Sequence, residues 1–480
     1  MYWLRERIHP TWHMSAIALG FVGGVALALI WYAQPWLAGV VGILLVALAF
    51  WRQRRVLIIV AFLGGSFLGL ARGSVAIGDL TIYRQYYGQT ITITGVVADD
   101  IDVSSRGSHV LLRSIVMNGH TMPGKIFGTL TGADQARRSD IVVVNGVLNT
   151  GFGGNAATII GQAEHIRRPI PGDIPLTIRD NFASDVRHAI SEPEASLGIG
   201  YLLGQKSALP TDLIDALKVT GLTHAVVASG YNLTILVRIG RRLFAKVSKY
   251  LATLTGAAMI VAFIAMTGLS PSMTRAGLVA GLGLWAWYFG RKFHPVTLLG
   301  VAAAVTVAIN PSYVWGDLGW LLSFAAFAGV MIIAPIVTAY FFGNGDKKVP
   351  FVGQLLIETM AAQVATLPIM IVAFHQFSLI APLANILILP FIPLAMVLVA
   401  VAGGAAITLP YVMHSISWPA EQLLHLQMAI IHWCADIPWA LEKPVWQWWG
   451  VALYIGVVVL VVAHMKYQTK YKLYQASIIE

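Results

Sequence analysis

The sequence predicts a polytopic α-helical membrane protein of about ten to twelve membrane segments, some broken or re-entrant, with a β-rich domain outside them. Three observations carry this. The 480-residue chain is 57% hydrophobic and only 11% charged. Apolar runs of about 18 or more residues recur, the length that crosses hydrocarbon. Between residues 73 and 170 the pattern changes to short β-rich runs punctuated by Gly, Asn, Asp and Pro.

The net charge of +10 follows from topology. Arg5 and Arg7 precede the first apolar run, and Arg52, Arg54 and Arg55 follow the second. Arg238, Arg241, Arg242, Lys246 and Lys249 form a dense block, followed by Arg291 with Lys292, Lys347 with Lys348, and Lys466, Lys470 and Lys472. With these on the cytoplasmic side, the alternate loops around Gln34, 270–272, 311–316 and 375–377 carry no Lys or Arg. That is the positive-inside pattern, so the charge excess says little about the ligand.

The expected spans are then 15–32 outward, 36–50 inward and 56–70 outward, with the β-rich stretch outside. Next come 222–239 inward, 251–269 outward, 275–290 inward, 296–309 outward, 318–342 inward and 351–374 outward. Pro382, Pro390 and Pro393 interrupt 379–409, which reads as a re-entrant pair or one broken span. The run 411–439, with His414, Glu421, Gln422, His425 and His432 on its wetter side, reads as an interfacial helix or a further span. Residues 446–463 end inside, behind Trp446, Trp448 and Trp449 at the outer interface. The first run is no cleavable signal, since its apolar core is long and Trp36 opens another span at once.

Domain boundaries follow: 1–72, three membrane helices; 73–170, the outer β domain; 171–220, an amphipathic interfacial region; 221–465, the polytopic domain; 466–480, a basic cytoplasmic tail. The β domain holds five runs, 91–103, 108–118, 125–132, 140–150 and 156–166. Five short strands point to a small barrel of the OB type, a fold that often binds single-stranded nucleic acid or oligosaccharide. Its candidate DNA contacts are Arg106, Arg113, Lys125, Arg137 and Arg138, with Tyr83, Tyr86, Tyr87, Phe127 and Phe152 available for stacking. The basic excess is small, so a solvated barrel surface is an equal reading.

GLTHAVVASGYNLTILV, residues 221–237, is apolar enough to enter a bilayer yet carries Thr223, His224, Ser229, Tyr231, Asn232 and Thr234. Such groups at membrane depth face protein or a watery cavity, so this helix either lines a path or glues helices together. Arg275 opens another span, where it snorkels to the interface or faces an anion path. Asp317 with Ser323, Gln363 with Glu358 and Thr366, and Asn385 supply further polar groups in apolar surroundings. Candidate path-lining residues are thus His224, Ser229, Asn232, Arg275, Asp317, Ser323, Gln363 and Asn385. The one cysteine, Cys434, excludes an intramolecular disulfide. No H-E-x-x-H spacing, nucleotide-binding Gly loop or G-x-S-x-G elbow occurs, so neither metal, cofactor, ATP site nor hydrolase chemistry is expected.

These motifs resemble the ComEC competence family. GLTHAVVASGYNLTIL is similar to the family's signature helix, and EPEASLGIGYLLGQKSALP to the stretch before it. MTRAGLVAGLGLWAWYFGRKF, NPSYVWGDLGWLLSFAAFAG and ETMAAQVATLPIMIVAFHQFSLIAPLANILILPFIPLAM follow in the family's order. The resemblance covers residues 191–411, while the outer domain matches the family's OB-like domain by position and strand pattern alone. It implies a multi-pass inner-membrane channel passing single-stranded transforming DNA into the cytoplasm, driven by external motive force. Implied partners are the bilayer, an extracytoplasmic DNA receptor, a cytoplasmic ATPase or helicase, and a separate nuclease. Two departures stand out: Asn232 replaces the family's second signature His, and the chain has no metallo-β-lactamase-like stretch after Lys472, so it is expected to be a short, non-enzymatic form. The alternatives are a small-molecule secondary transporter and a structural scaffold of a pilus or secretion machine.

The charge pattern puts both termini and residues 238–249 inside and residues 91–166 outside. With Cys434 replaced, a single cysteine at Ser105 should react with an impermeant thiol reagent on intact cells, and one at Ser248 should not. Equal labelling overturns this orientation.

Overall fold

The computed structural model describes residues 9–52, 56–104, 107–205, 209–226, 230–268, 271–290, 294–343, 349–444 and 446–469. The chain forms two compact units. Unit 1 comprises Met1–Ile174, Gly268–Pro271 and Val296–Leu321, and unit 2 the remainder. Among the described residues seven helices are long and apolar enough to cross a membrane: Pro10–Leu27, Leu57–Tyr86, Lys249–Thr267, Leu318–Phe342, Phe351–Phe374, Ala381–Thr408 and Trp448–Thr469. Pro35–Trp51 and Pro295–Ile309 are shorter apolar helices. With many apolar side chains on their surfaces, these helices make the chain a membrane protein.

Unit 1 begins with a helix pair whose closeness is written in glycine. Gly20 and Gly24 face Gly65 and Gly69, so each helix carries a G-x-x-x-G step toward the other. A Cβ at Gly24 would lie 2.0 Å from the Ser66 carbonyl oxygen, and one at Gly65 2.1 Å from that of Ile17. Backbone therefore meets backbone, the arrangement by which helices gain van der Waals contact where lipid supplies no hydrophobic drive. The third helix, Leu57–Thr81, runs past the expected boundary at residue 72 and continues through the 3₁₀ turn Ile82–Tyr86.

The β domain follows as strands β1 (Thr90–Val97), β2 (Asp102–Ser104), β3 (Gly107–Met117), β4 (His120–Met122), β5 (Ile126–Thr131), β6 (Ile141–Thr150) and β7 (Ala157–Arg167). β1 pairs antiparallel with both β3 and β6, β3 with β5, and β6 with β7. β5 and β7 pair in parallel and close the circle. The result is a barrel of five principal strands, with β2 and β4 as short additions to β3. Alternating burial along β3, β5 and β6 sends Val110, Leu112, Ile126, Leu130, Val142 and Val144 inward to a dry core. A register shift opposite Gly95 bulges β3 at Ser114, whose φ is 50°, and leaves Arg113 and Ser114 both exposed.

Within unit 1 the barrel rests on helix ends. Gly154, at φ 83°, comes so close to the loop after Pro295–Ile309 that a Cβ would lie 3.0 Å from the Ser312 carbonyl oxygen and 3.4 Å from Asp317 Cβ. A Cβ at Gly268 would lie 3.4 Å from both Arg138 Nη1 and Asp99 Oδ1. Arg72 donates from Nε to the Ala308 carbonyl at 2.9 Å, placing a cation on the carboxyl end of a helix.

Unit 2 is built around Glu194–Leu203, in which every residue is buried. Within 171–220, Ile174–Ala189 and Thr211–Val219 carry apolar residues on one face, whereas EASLGIGYLL, apolar or small but for Glu194 and Tyr201, is buried all round in one core with Ile392–Thr408 and Met413–Ala435. Stretch 381–408 is a candidate span interrupted once, with helices Ala381–Ile388 and Ile392–Thr408 joined by the 3₁₀ turn Leu389–Phe391 at Pro390. Met413–Ala435 lays Ser417, Ala420, Leu424, Gln427, Ile431 and Cys434 on its buried face. Leu318–Phe342 contains a π-helical turn, Gly329–Ile333, where a Cβ at Gly329 would lie 2.3 Å from the Ala361 carbonyl oxygen. Phe351–Phe374 runs through Pro368 rather than ending there.

Gly24→Leu or Gly65→Leu should force the first and third helices apart and cost about 1–3 kcal/mol or more, as overpacking does. Gly23→Ala, at a position where a Cβ meets nothing within 4 Å, is the control. A detergent melting curve unchanged by Gly65→Leu contradicts this packing.

Candidate functional site

Two constellations stand out, one in each unit. On the barrel, alternation along β3 and β5 turns His109, Leu111 and Arg113 outward beside Phe127 and Thr129. The register sets Leu111 against Phe127 and His109 against Thr129, and Leu112 against Ile126, which puts Arg113 next to Lys125. The His109 and Phe127 rings stack with centroids 5.5 Å apart, and Phe127 meets Phe152 edge-on at 5.6 Å. Phe152 is 63% exposed. Burial holds the Lys125 amine below its ordinary pKa, against the opposing pull of Asp99 and Asp317. This face thus combines an aromatic strip with adjacent cations. Sequence reading found Arg113, Lys125, Phe127 and Phe152 but missed His109, which only the pairing of β3 with β5 brings to Phe127.

The other expected barrel cations behave differently. Arg137 is exposed. Arg138 is not available: it is 7% exposed, and its guanidinium grips Asp173 through two bonds, from Nε at 2.8 Å and Nη2 at 3.0 Å. That bidentate geometry makes it a structural anchor for the barrel's exit strand. Arg106 lies outside the described residues.

In unit 2 the described parts of segment 221–237 are helical over Thr223–Val226 and from Gly230 onward in Gly230–Phe244, while residues 227–229, Ser229 among them, lie outside the described residues. Asn232 is fully buried, and its amide donates to the Tyr201 carbonyl at 2.9 Å and to the Ala225 carbonyl at 3.2 Å. Tyr231 donates its hydroxyl to the Leu389 carbonyl at 3.2 Å, within the 3₁₀ turn of the broken span. Gln363 Nε2 donates to the Ser378 carbonyl at 2.7 Å, and Ser378 Oγ to the Val219 carbonyl at 2.6 Å. The bonds to Tyr201, Leu389, Ser378 and Val219 each join a side chain to the backbone of another element. Asn232 is therefore a clamp: the expectation that it faces a path gives way to two protein hydrogen bonds and complete burial.

Asp317 is likewise structural, its carboxylate accepting the Trp320 N–H at 2.7 Å at the start of Leu318–Ala328. His224 is exposed and its Nδ1 sits 2.8 Å from the Gly221 carbonyl oxygen. Arg275 lies 5.9 Å and 5.5 Å from the Phe324 and Phe327 ring centres, and a Cβ at Gly230 would be 3.4 Å from its Nη2. Ser323, half-buried, adjoins Phe324. Beyond these, Gln205 Oε1, Gln363 Oε1, Asn385 Oδ1, Arg275 Nε, the Tyr201 hydroxyl and both amide atoms of Gln427 are buried without a partner among the described residues. An unpaired buried polar atom costs about 1–3 kcal/mol, so this density marks a region not built for stability alone.

A model of the Competence protein family matches residues 201–467, more than half of the chain. The chain belongs to that family. It is 24% identical over 242 residues to ComE operon protein 3 of Bacillus subtilis (strain 168), covering 49% of this chain and 29% of that protein. It is 27% identical over 277 residues to Competence protein ComA of Neisseria gonorrhoeae, covering 54% of this chain and 37% of that one. The chain thus spans about a third of the length of the curated relatives it matches. No solved structure matches it. The part shared with other competence proteins takes in the clamp, the broken span and most of the orphaned amides, and leaves out the barrel.

Asn232→Leu should strip two carbonyls of their donor and lower the detergent melting temperature and the abundance, by about 1–3 kcal/mol of stability. Asn232→Gln, which keeps an amide on a longer stem, should recover part of it. A Leu variant as stable as the parent refutes the clamp.

Proposed function

We propose that the protein is a multi-pass channel of the bacterial cytoplasmic membrane that imports single-stranded DNA during natural competence. The observation that carries this reading is the coincidence of the competence-family stretch with the region where helices break and neutral amides are buried unpaired. Interrupted helices at membrane depth belong to proteins that line a polar passage, because lipid cannot satisfy a free carbonyl. Gln363, Asn385, Gln205 and Gln427 offer donors and acceptors without fixed charge, which suits a polyanion that must bind and then leave. His224, Ser229, Arg275 and Ser323 are the further lining candidates, while Asn232 and Asp317 hold the frame.

The barrel is an OB-type domain in this reading. Counting β1, β3, β5, β6 and β7 as strands one to five, the circular order is 1-2-3-5-4, and the outer face of the second and third strands carries His109, Phe127, Arg113 and Lys125. Ligands of such barrels lie on that face, with bases stacked on aromatic rings and phosphates near cations. Its place beside Gly268 and Ser312, in loops free of Lys and Arg, supports an extracytoplasmic barrel and cytoplasmic termini. An outer DNA receptor, a cytoplasmic ATPase or helicase and a separate nuclease would complete the pathway.

Cells lacking the protein should take up labelled DNA into the cytoplasm poorly and regain uptake with the wild-type gene. Unimpaired uptake in its absence sinks the proposal. In the purified full chain, Phe127→Ala should weaken binding of an oligonucleotide by about 1–3 kcal/mol if a base stacks there. Arg113→Ala should reduce the salt slope by roughly 0.7. Equal slopes for parent and variant return the barrel to a solvated surface.

A further inference from the structure

An open apolar groove of about 360 Å³ lies in unit 2 between Lys249–Thr267 and Pro271–Tyr288. One helix contributes Thr253, Ala257, Ile260 and Val261, and the other Gly281, Leu284, Trp285 and Tyr288. Both sets repeat at three and four residues, so each is a single helix face. Val261 is 68% exposed and Trp285 49%, so the walls open on the outer surface of the two helices. Nothing polar but the Thr253 and Tyr288 hydroxyls and the Trp285 ring nitrogen borders it, and Thr253 Oγ1 already donates to the Lys249 carbonyl at 2.8 Å.

One end of this groove is strongly cationic. Lys249 Nζ lies 5.9 Å from the Tyr288 ring, itself a groove wall, and 5.6 Å from the Trp287 ring. Arg241 lies 5.1 Å from the same Trp287 ring. Arg238, Arg242 and Lys246 are exposed alongside, and no carboxylate pairs with any of these five cations among the described residues. A cation block unneutralised by protein, joined to an acyl-sized crevice through a Tyr–Lys contact, has the two halves of one ligand: an anionic head and an apolar tail. We propose that this groove binds an anionic diacyl phospholipid, with its phosphate at Lys249 and Lys246 and one acyl chain along Gly281 and Trp285. Basic pockets between membrane helices recognise such headgroups, and the aromatic rings hold the cations at the interface level.

The test uses the full chain in neutral detergent, titrated with phosphatidylglycerol brominated on one acyl chain, with tryptophan fluorescence as the readout. Saturable quenching is expected, and Trp285→Phe should remove most of that component. Lys249→Gln should weaken the titration on the order of fivefold at low salt, and Lys246→Gln alongside it by a similar further factor. At Gly281 a Cβ meets nothing within 4 Å, so Gly281→Leu should fill the groove and abolish quenching without lowering the melting temperature. Brominated phosphatidylcholine should titrate more weakly than phosphatidylglycerol. Equal affinity for the two lipids, indifference to Lys249→Gln, or quenching that survives in both Trp285→Phe and Gly281→Leu overturns the proposal. A dimer that buries the groove and excludes both lipids overturns it as well.

Discussion

A chain in lipid has to satisfy its own backbone, and most of what is particular about this protein follows from where it declines to do so with continuous helix. The ladder changes to a 3₁₀ turn at Leu389–Phe391 and stops between Phe374 and Ala381. At each place a side chain from elsewhere reaches in. Asn232 ties the helix Gly230–Phe244 to the buried helix Glu194–Leu203, Tyr231 ties it to the turn Leu389–Phe391, and Gln363 with Ser378 ties the stretch between Phe374 and Ala381 to the end of Thr211–Val219. The breaks are thereby joined into one network whose members lie far apart in sequence. Such cross-bonds make irregular backbone tolerable at membrane depth.

The orphaned polar atoms gain meaning against that background. The same region that uses Asn232 and Gln363 Nε2 so fully leaves Gln363 Oε1, Asn385 Oδ1 and both ends of Gln427 unpaired. Apolar side chains at those positions would pack without that cost: Asn385 sits in a helix otherwise rich in Leu, Ile and Ala, and Gln427 lies on the buried face of its helix with Ala420, Leu424 and Ile431. The barrel faces a different problem. Its core is dry and self-sufficient, yet Arg138, Asp173 and the close approach of Gly154 to Ser312 fix it to the helix ends within its unit, leaving the face of His109, Phe127 and Phe152 as its most distinctive outer feature.

Legibility in the sequence tracked how local each cause was. Apolar runs located the helices, although the third continues to Thr81 instead of ending at 70, and β-rich runs between turn residues located all five principal strands, because both signals are carried by neighbours in the chain. Gly20, Gly24, Gly65 and Gly69 escaped notice since a small residue declares its partner only when the partner helix is in place. The complete burial of Glu194–Leu203 was not legible either, because its head residue is a carboxylate whose partner, His425 at 2.8 Å, lies far along the chain.

By itself, then, the sequence determined a membrane protein with an all-β insertion, the alternation of basic and neutral loops, and the polar residues that an apolar domain has to account for. Composition and periodicity are enough for this, since transfer into lipid depends on each segment's own side chains. Only the tertiary structure decided what those polar residues do. Asn232, Asp317 and Arg138 read alike as candidates for contact with a ligand, and packing turned all three toward the protein: one to backbone carbonyls, one to a helix start, one to a buried carboxylate. A hydrogen bond is short and directional, so its partner is fixed by geometry that no residue carries alone.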